Sequence, residues 1–234
     1  MRKAVYLALC FAILAGASCK KKSPEPTPTP TPTPVPAAKV KFTNACLNTP
    51  SLGVKINDTA LSSLSGLAFL ATSAYLNVTP GTSVKTSFIF PSTNSPLVSP
   101  APSFSFTDGS NYSVFAVGDV TSAAAMMVSD DLTAPAAGKA KVRFINLSLD
   151  ALSDNFYVAG NKLDSAVMYK DVTPYHEVPS GDQNVIVQDP NDVGNQVTIT
   201  PQNFVAGKIY TIMLTGSKLN TGDAALKLTV ITHN

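Results

Sequence analysis

The hexapeptide KVKFTN (39–44) returns later in the chain as KVRFIN (141–146). Two more stretches return with it at a nearly constant offset. FLATSAYLNVTPG (69–81) becomes YKDVTPYHEVPSG (169–181), and NYSVFAVG (111–118) becomes IYTIMLTG (209–216). Aromatic and turn positions keep register: Phe69 with Tyr169, Tyr75 with Tyr175, Gly81 with Gly181, Tyr112 with Tyr210. A chain that repeats itself this way must fold twice into the same small unit, so it is a tandem duplication. The copies are expected over 39–132 and 139–234.

Each copy reads as strands. Val40 and Phe42 alternate with Lys39 and Lys41, which predicts one buried face and one wet face. Phe104 and Phe106 alternate with Ser103 and Ser105, and Asp108-Gly109 then supplies a turn. The runs 112–117 and 209–214 are apolar on both faces, the pattern of a central strand covered on each side. Thr79-Pro80-Gly81 and Pro179-Ser180-Gly181 are turn chemistry. Charged residues are only 14% of the chain, and Thr, Ser, Val, Gly and Pro abound. This balance predicts an all-β chain of two tandem β-sandwich domains. Residues 61–70 fit a helical turn or a strand equally well. The short link TAPAAG (133–138) predicts two domains end to end with limited hinge freedom.

Ahead of the repeats, Arg2 and Lys3 precede an apolar run (4–17). That run is too short to cross a bilayer, which takes roughly 20 apolar residues. Residues 1–18 therefore read as a secretory signal peptide. Gly16-Ala17-Ser18-Cys19 resembles a bacterial lipobox, which implies cleavage before Cys19 and its lipidation with acyl chains such as palmitate. The alternative is an ordinary secreted protein in which Cys19 is incidental. Cys10 falls in the signal and Cys19 takes lipid, so Cys46 has no disulfide partner and is expected to be a buried, inert thiol. Lys20, Lys21 and Lys22 can touch anionic head groups. The alternating prolines of 24–36 exclude helix and sheet. They predict a polyproline II spacer of about 40 Å, at about 3.1 Å per residue. Residues 19–38 are thus expected to be a lipid-anchored tether, attached to the cell envelope. Lys20 is not the aspartate that retains some lipoproteins at the inner membrane, which favours the outer membrane and leaves its face open.

Formal net charge is +2, and Arg2, Lys3 and the three lysines after Cys19 supply more than that excess. Arg143 is the only arginine beyond the signal. Nucleic-acid readout leans on arginine forks and basic patches, so no nucleic-acid partner is expected. Of the two histidines, His176 reads as a solvated strand residue, and His233 lies too near the end to be expected to be held rigidly. No Gly-x-Ser-x-Gly elbow is present; Gly81-Thr82-Ser83-Val84-Lys85 comes nearest but occupies the repeat's turn. Zinc would want clustered Cys and His. Asp189, Asn191 and Asp192 read as a turn rather than a calcium loop, and Asp130-Asp131 as a solvated linker pair. No catalytic residue, metal or cofactor is expected, and the chain is expected not to be an enzyme.

The order of a KVRFIN strand, an aromatic followed by Tyr and then Gly, a NYSVFAVG strand and the joining passage DDLTAPAAGKAKVRFIN (130–146) resembles a known bacterial family. It is the envelope family called domain of unknown function 4397, and the likeness runs over 39–231. The resemblance implies immunoglobulin-like sandwiches and an extracytoplasmic setting, and brings no established activity or site residues. LNTPSLGV (47–54) and LSLDALSDNF (147–156) depart from the family's usual Asp-Ala-Pro segment. The expected function is a non-catalytic, lipid-anchored envelope protein whose two modules bind or adhere to a glycan or protein partner. A structural spacer or assembly subunit is the alternative, and a secreted hydrolase a less favoured one. Sugar platforms need exposed aromatics. Trp is absent, and Tyr169 and Tyr175 match framework positions, so Tyr157 remains the ligand-binding candidate. Asp58-Thr59-Ala60 and Asp164-Ser165-Ala166 resemble a short O-glycosylation motif of exported proteins in some bacteria. The N-x-Ser/Thr triplets at Asn57, Asn77 and Asn146 carry no weight in a bacterial lipoprotein.

Overall fold

The computed structural model describes residues 35–234 except 193 and 195, so the expected signal peptide, Cys19 and most of the proline run lie outside the described residues. Repeat 1 forms nine strands: β1 (Ala38–Leu47), β2 (Gly53–Ile56), β3 (Thr59–Ala60), β4 (Leu76–Val78), β5 (Gly81–Phe90), β6 (Ser95–Pro96), β7 (Ser103–Phe106), β8 (Asn111–Asp119) and β9 (Ala124–Ser129). Repeat 2 forms eight: β10 (Lys139–Asn146), β11 (Asp154–Val158), β12 (Asn161–Val167), β13 (His176–Pro179), β14 (Gly181–Gln188), β15 (Gln196–Phe204), β16 (Ile209–Thr215) and β17 (Lys227–Thr232). The undecided segment 61–70 holds a short 3-10 turn, Ser62–Leu64, and then bridges back at Leu67 to Leu52.

The two repeats share one plan. An inner sheet runs β4-β1-β8-β9 in repeat 1 and β13-β10-β16-β17 in repeat 2, with the first strand parallel to the penultimate one. An outer sheet, β3-β2-β5 with β6 and β7, or β12-β11-β14-β15, closes each sandwich. The repeated motif owes its Asn to this plan. Asn44 is fully buried and donates to the carbonyl of Leu67 at 3.1 Å. Asn146 likewise donates to Ala151 O at 2.8 Å and Val167 O at 3.0 Å. Each ties the first strand to the chain that returns from the outer sheet, at Leu67 or Val167, and Asn146 also holds the β10–β11 loop at Ala151.

Strand alternation separates two kinds of interior. Val40, Phe42, Val114 and Ala116 face the core of repeat 1, against Val54, Val84 and Phe88. Val142, Phe144, Ile212 and Leu214 do the same in repeat 2, against Phe156, Val185 and Val187. The other face of each inner sheet is not wet. Ala45, Phe115 and Val117 of repeat 1 form a third buried cluster with Ile145, Leu147, Met213 and Ile231 of repeat 2. The repeats therefore pack face to face through their inner sheets, within one compact unit, Val35–Asn234. This corrects the end-to-end expectation: the short link only requires neighbouring termini, and burying two apolar sheet faces decides the rest. It also corrects the wet face expected around Lys41, which is 6% exposed. The central strands β8 and β16 are covered on both sides as their sequences predict.

The polar residues trapped between the sheets form one connected hydrogen-bonded circuit, from which the buried Tyr175 hydroxyl is left out. Arg143 and Asp130 are both buried and form an ion pair through Nη2 and Oδ1. Arg143 Nε donates to Thr211 Oγ1 at 2.8 Å, and Thr211 Oγ1 lies 2.7 Å from His233 Nε2. His233 Nδ1 lies 2.7 Å from the Tyr75 hydroxyl, which lies 2.7 Å from Asp130 Oδ2. The carboxylate has no proton to give, so Tyr75 donates to it. That spends the only hydroxyl proton of Tyr75, so His233 carries its hydrogen on Nδ1 and accepts at Nε2 from Thr211. The cycle Arg143–Thr211–His233–Tyr75–Asp130 closes with a donor and an acceptor at each link, and Ser113 Oγ adds a further donor to Asp130 at 2.8 Å. Two expectations fall here. Asp130 is not a solvated linker residue; only Asp131 is exposed, paired with Lys141 at 2.7 Å. His233 is held rigidly, because it sits just past β17 with a polar partner on each ring nitrogen.

Burial pulls the His233 imidazole down to about 4; nearby Asp130 opposes that, and Arg143 and Lys41 add to it. The unfolded chain binds the proton near pH 6.5 and the folded one does not. Stability is therefore full above pH 6.5 and falls as pH drops from there towards 4. The contribution is on the order of 3 kcal/mol, from roughly 1.4 kcal/mol per pKa unit. Urea denaturation at pH 7 and pH 4.5 should show this loss, and His233→Gln should flatten that part of the pH dependence.

Candidate functional site

The chain enters the described unit at one end of the inner sheets. Ala37 N donates to Asp108 Oδ1 at 2.7 Å, and Gly109 N donates back to Ala37 O at 3.1 Å. The same end holds the link between repeats, because β9 finishes with Ser129 opposite Tyr112 at the start of β8. Asn234 also lies there, its Oδ1 accepting from Ile209 N at 2.9 Å. Cross-repeat contacts show that the strands of both inner sheets run to a common far end. At the near end Lys41 Nζ donates to Thr232 O at 2.7 Å and Arg143 Nη1 to Ser129 O at 2.8 Å. At the far end Lys227 Nζ lies 5.7 Å from the Phe69 ring centroid.

Most of the large apolar side chains left exposed gather at that far pole. Val120 is in the β8–β9 turn, Leu219 in the β16–β17 loop, Leu149 and Leu152 in the β10–β11 loop, and Met168 just past β12. Leu152 is 70% exposed and Leu219 89% exposed. These loops are not loose. Asp150 accepts from Ser148 Oγ at 3.0 Å, Ser217 Oγ at 2.6 Å and Lys218 N at 2.9 Å, so one carboxylate pins the β10–β11 loop to the β16–β17 loop. Burial pushes its pKa up, but the hydrogen bonds from Ser217, Lys218 and Ser148 outweigh this and hold it below the usual carboxylate range. Lys218 Nζ reaches Asp189 Oδ2 at 3.0 Å, and Asp189 Oδ1 accepts from Asn191 N at 2.9 Å. The oxygen-rich segment around Asp189 is thereby tied to the same loop cluster.

Tyr157 lies elsewhere. It sits in β11 between the buried Phe156 and Val158, so it points out from the outer sheet of repeat 2, half-exposed. Its cross-strand neighbours are Ile186 and Lys162, and Asn155 next along the same face stands opposite Gln188. An aromatic ring flanked by amides can stack on a sugar ring and hydrogen-bond its hydroxyls. Tyr169 and Tyr175 are framework residues. Tyr175 lies beneath Arg143, 4.8 Å from ring centroid to guanidinium carbon, and burial pushes its hydroxyl up to about 12. Tyr169 is half-buried at the repeat interface near Gly118. His176 is not simply solvated: its Nε2 lies 3.0 Å from Asp164 Oδ2. Ser165 and Thr59, the hydroxyl residues of the two glycosylation-like tripeptides, are exposed, whereas Asn146 is fully buried. Cys46 is a buried free thiol pushed up to about 12, first by burial and then by Asp119. Among the described residues no group of three or more His, Cys, Asp or Glu is placed to hold a metal ion.

The clustering of the far-pole leucines was missed in the sequence because Leu149, Leu152 and Leu219 look like ordinary strand residues until topology brings their loops together. The departure of 147–156 from the family's usual segment was the available signal. No curated protein matches the chain. The family model described as a domain of unknown function, DUF4397, matches twice in tandem, over residues 38–153 and 149–234. The chain therefore belongs to the DUF4397 family and carries two copies of its domain.

Proposed function

We propose that this protein is a non-enzymatic, lipid-anchored module of a bacterial cell envelope. It is held at the outer membrane through Cys19 and binds or adheres to a glycan or protein partner. The observation that carries this reading is the polarity of the unit: the chain enters at one end, and pinned loops with exposed leucines occupy the other. The expected tether joins the unit at the first of these ends, away from the loop cluster. Exposed apolar side chains on a pinned loop cluster mark an interaction surface. Both histidines have polar partners within the fold, and Arg143, the one arginine of the described unit, is spent between the repeats. Neither hydrolysis nor nucleic-acid binding gains support from that arrangement.

Fractionation tests the anchor: the wild-type chain should sediment with membranes and Cys19→Ala should be released. A Cys19→Ala chain that stays with the membranes would overturn the anchor. Protease treatment of intact cells then assigns the face, with cleavage meaning surface display and protection meaning the periplasm. For the far pole, the pair Leu152→Asp and Leu219→Asp should leave folding unchanged. It should weaken adsorption of the released chain to envelope preparations by about tenfold, as loss of apolar anchors does. Unaltered adsorption would contradict the far pole as the binding surface.

A further inference from the structure

The outer faces of the two sandwiches differ. In repeat 2 the outer face is open around Tyr157. In repeat 1, residues 91–101 fold back over the outer sheet between β5 and β7 and enclose a cleft of about 300 Å³. The excursion is held at both ends, by Leu97 N to Phe88 O at 2.8 Å and by Thr86 N to Pro102 O at 2.9 Å. It explains why Ser87 and Ile89, on the outer face of β5, are only 6% and 8% exposed.

The lining has a definite chemistry. Lys55 of β2 stands directly opposite Ser87 of β5 in the sheet register. Lys55 has no ion-pair or hydrogen-bond partner among the described residues, and neither does the hydroxyl of the buried Ser87. The Ser87 hydroxyl and the half-buried Lys55 side chain are therefore both free to meet an acceptor that enters the cleft. Beside them Lys85 is already paired with Asp58, Nζ to Oδ1 at 2.8 Å, so the free charge in the cleft is the single cation of Lys55. Asn94 adds an amide at the rim, and Pro96 and Pro100 form an apolar wall.

We propose that this cleft binds one carboxylate-bearing sugar residue of an acidic glycan. The inference deepens the binding part of the function proposed above and rests on it. One ammonium and one hydroxyl on adjacent strands match one carboxylate, whereas phosphate and sulfate are favoured by arginine forks or backbone nests. The proline wall offers aliphatic surface to the ring's C–H face, and Asn94 offers both a donor and an acceptor to ring hydroxyls. The volume is at the lower end of small-ligand clefts and fits one sugar unit rather than a folded peptide. The binding surface then has two parts, a charged cleft on the outer face of repeat 1 and the apolar far pole.

Calorimetric titration of the full chain, in detergent, with trigalacturonate as probe tests this. The expected result is saturable binding that falls at least tenfold with the methyl-esterified trimer and with Lys55→Met. Ser87→Ala should weaken it severalfold, and Tyr157→Ala should leave it unchanged. Amide spectra of Lys55→Met matching the wild type away from the cleft exclude misfolding as the cause. Absence of trigalacturonate binding, equal binding of the methyl ester, or full displacement by equimolar inorganic phosphate would overturn the assignment. Binding lost with Tyr157→Ala but kept with Lys55→Met would overturn it too, while leaving the wider glycan-binding reading intact on repeat 2.

Discussion

The interface between the repeats depends on a buried cation and a buried anion that cannot be separated. Arg143 and Asp130 lie between two inner sheets and are almost wholly removed from water. Breaking a buried pair by removing one partner costs roughly 3–5 kcal/mol, because the other charge stays stranded. Arg143 belongs to β10 of repeat 2, and Asp130 follows β9 of repeat 1, so the pair fastens one copy to the other. Thr211, His233 and Tyr75 complete the circuit and fix the imidazole tautomer. The remaining face of each inner sheet can therefore be apolar without leaving either buried charge unmatched.

Duplication explains the form of this circuit. In strand register Ser129 of repeat 1 corresponds to Thr232 of repeat 2, each paired with the first tyrosine of the penultimate strand. Asp130 and His233 follow them, so they are the same position in the two copies. Lys41 and Arg143 are likewise equivalent; each donates to the carbonyl of the opposite repeat's last strand and lies over a tyrosine, Tyr75 or Tyr175. A strictly symmetric pair would put two carboxylates at the centre, where like charges repel, or two imidazoles, which would leave Arg143 without its anion. Divergence to one Asp and one His removes that conflict. The cost is visible at Tyr175, whose hydroxyl is buried with no hydrogen-bond partner, whereas Tyr75 holds both Asp130 and His233.

Much of the fold was legible in the sequence, for reasons that can be named. The repeats were visible because both copies need the same aromatic and Asn positions to close a sandwich. The central strands were visible because residues buried on two sides cannot alternate. What covers the second side was not visible, since Lys39 and Lys41 look identical on paper. Lys39 is exposed at the start of β1, and Lys41 is buried one pleat further on, its ammonium over Tyr75. Asp130 and His233 were misread for the same reason. Their sequence neighbours are linker and terminus, and only the face-to-face packing of the repeats buries them. On the candidate site, Tyr157 could be placed from alternation alone, but neither the loop cluster pinned by Asp150 nor the cleft roofed by 91–101 leaves a local signature. Both are made by segments distant in sequence.

Two family domains joined face to face give a module with one rigid axis, loops at one end and chain entry at the other. Differential scanning calorimetry of the wild-type chain against Asp130→Ala tests most directly whether the buried circuit makes the repeats a single unit. The account predicts one cooperative transition for the wild type. It predicts two separate transitions for the variant, the less stable repeat melting first, with a loss of roughly 3–5 kcal/mol. Two independent transitions in the wild type, or a variant that melts as the wild type does, would contradict it.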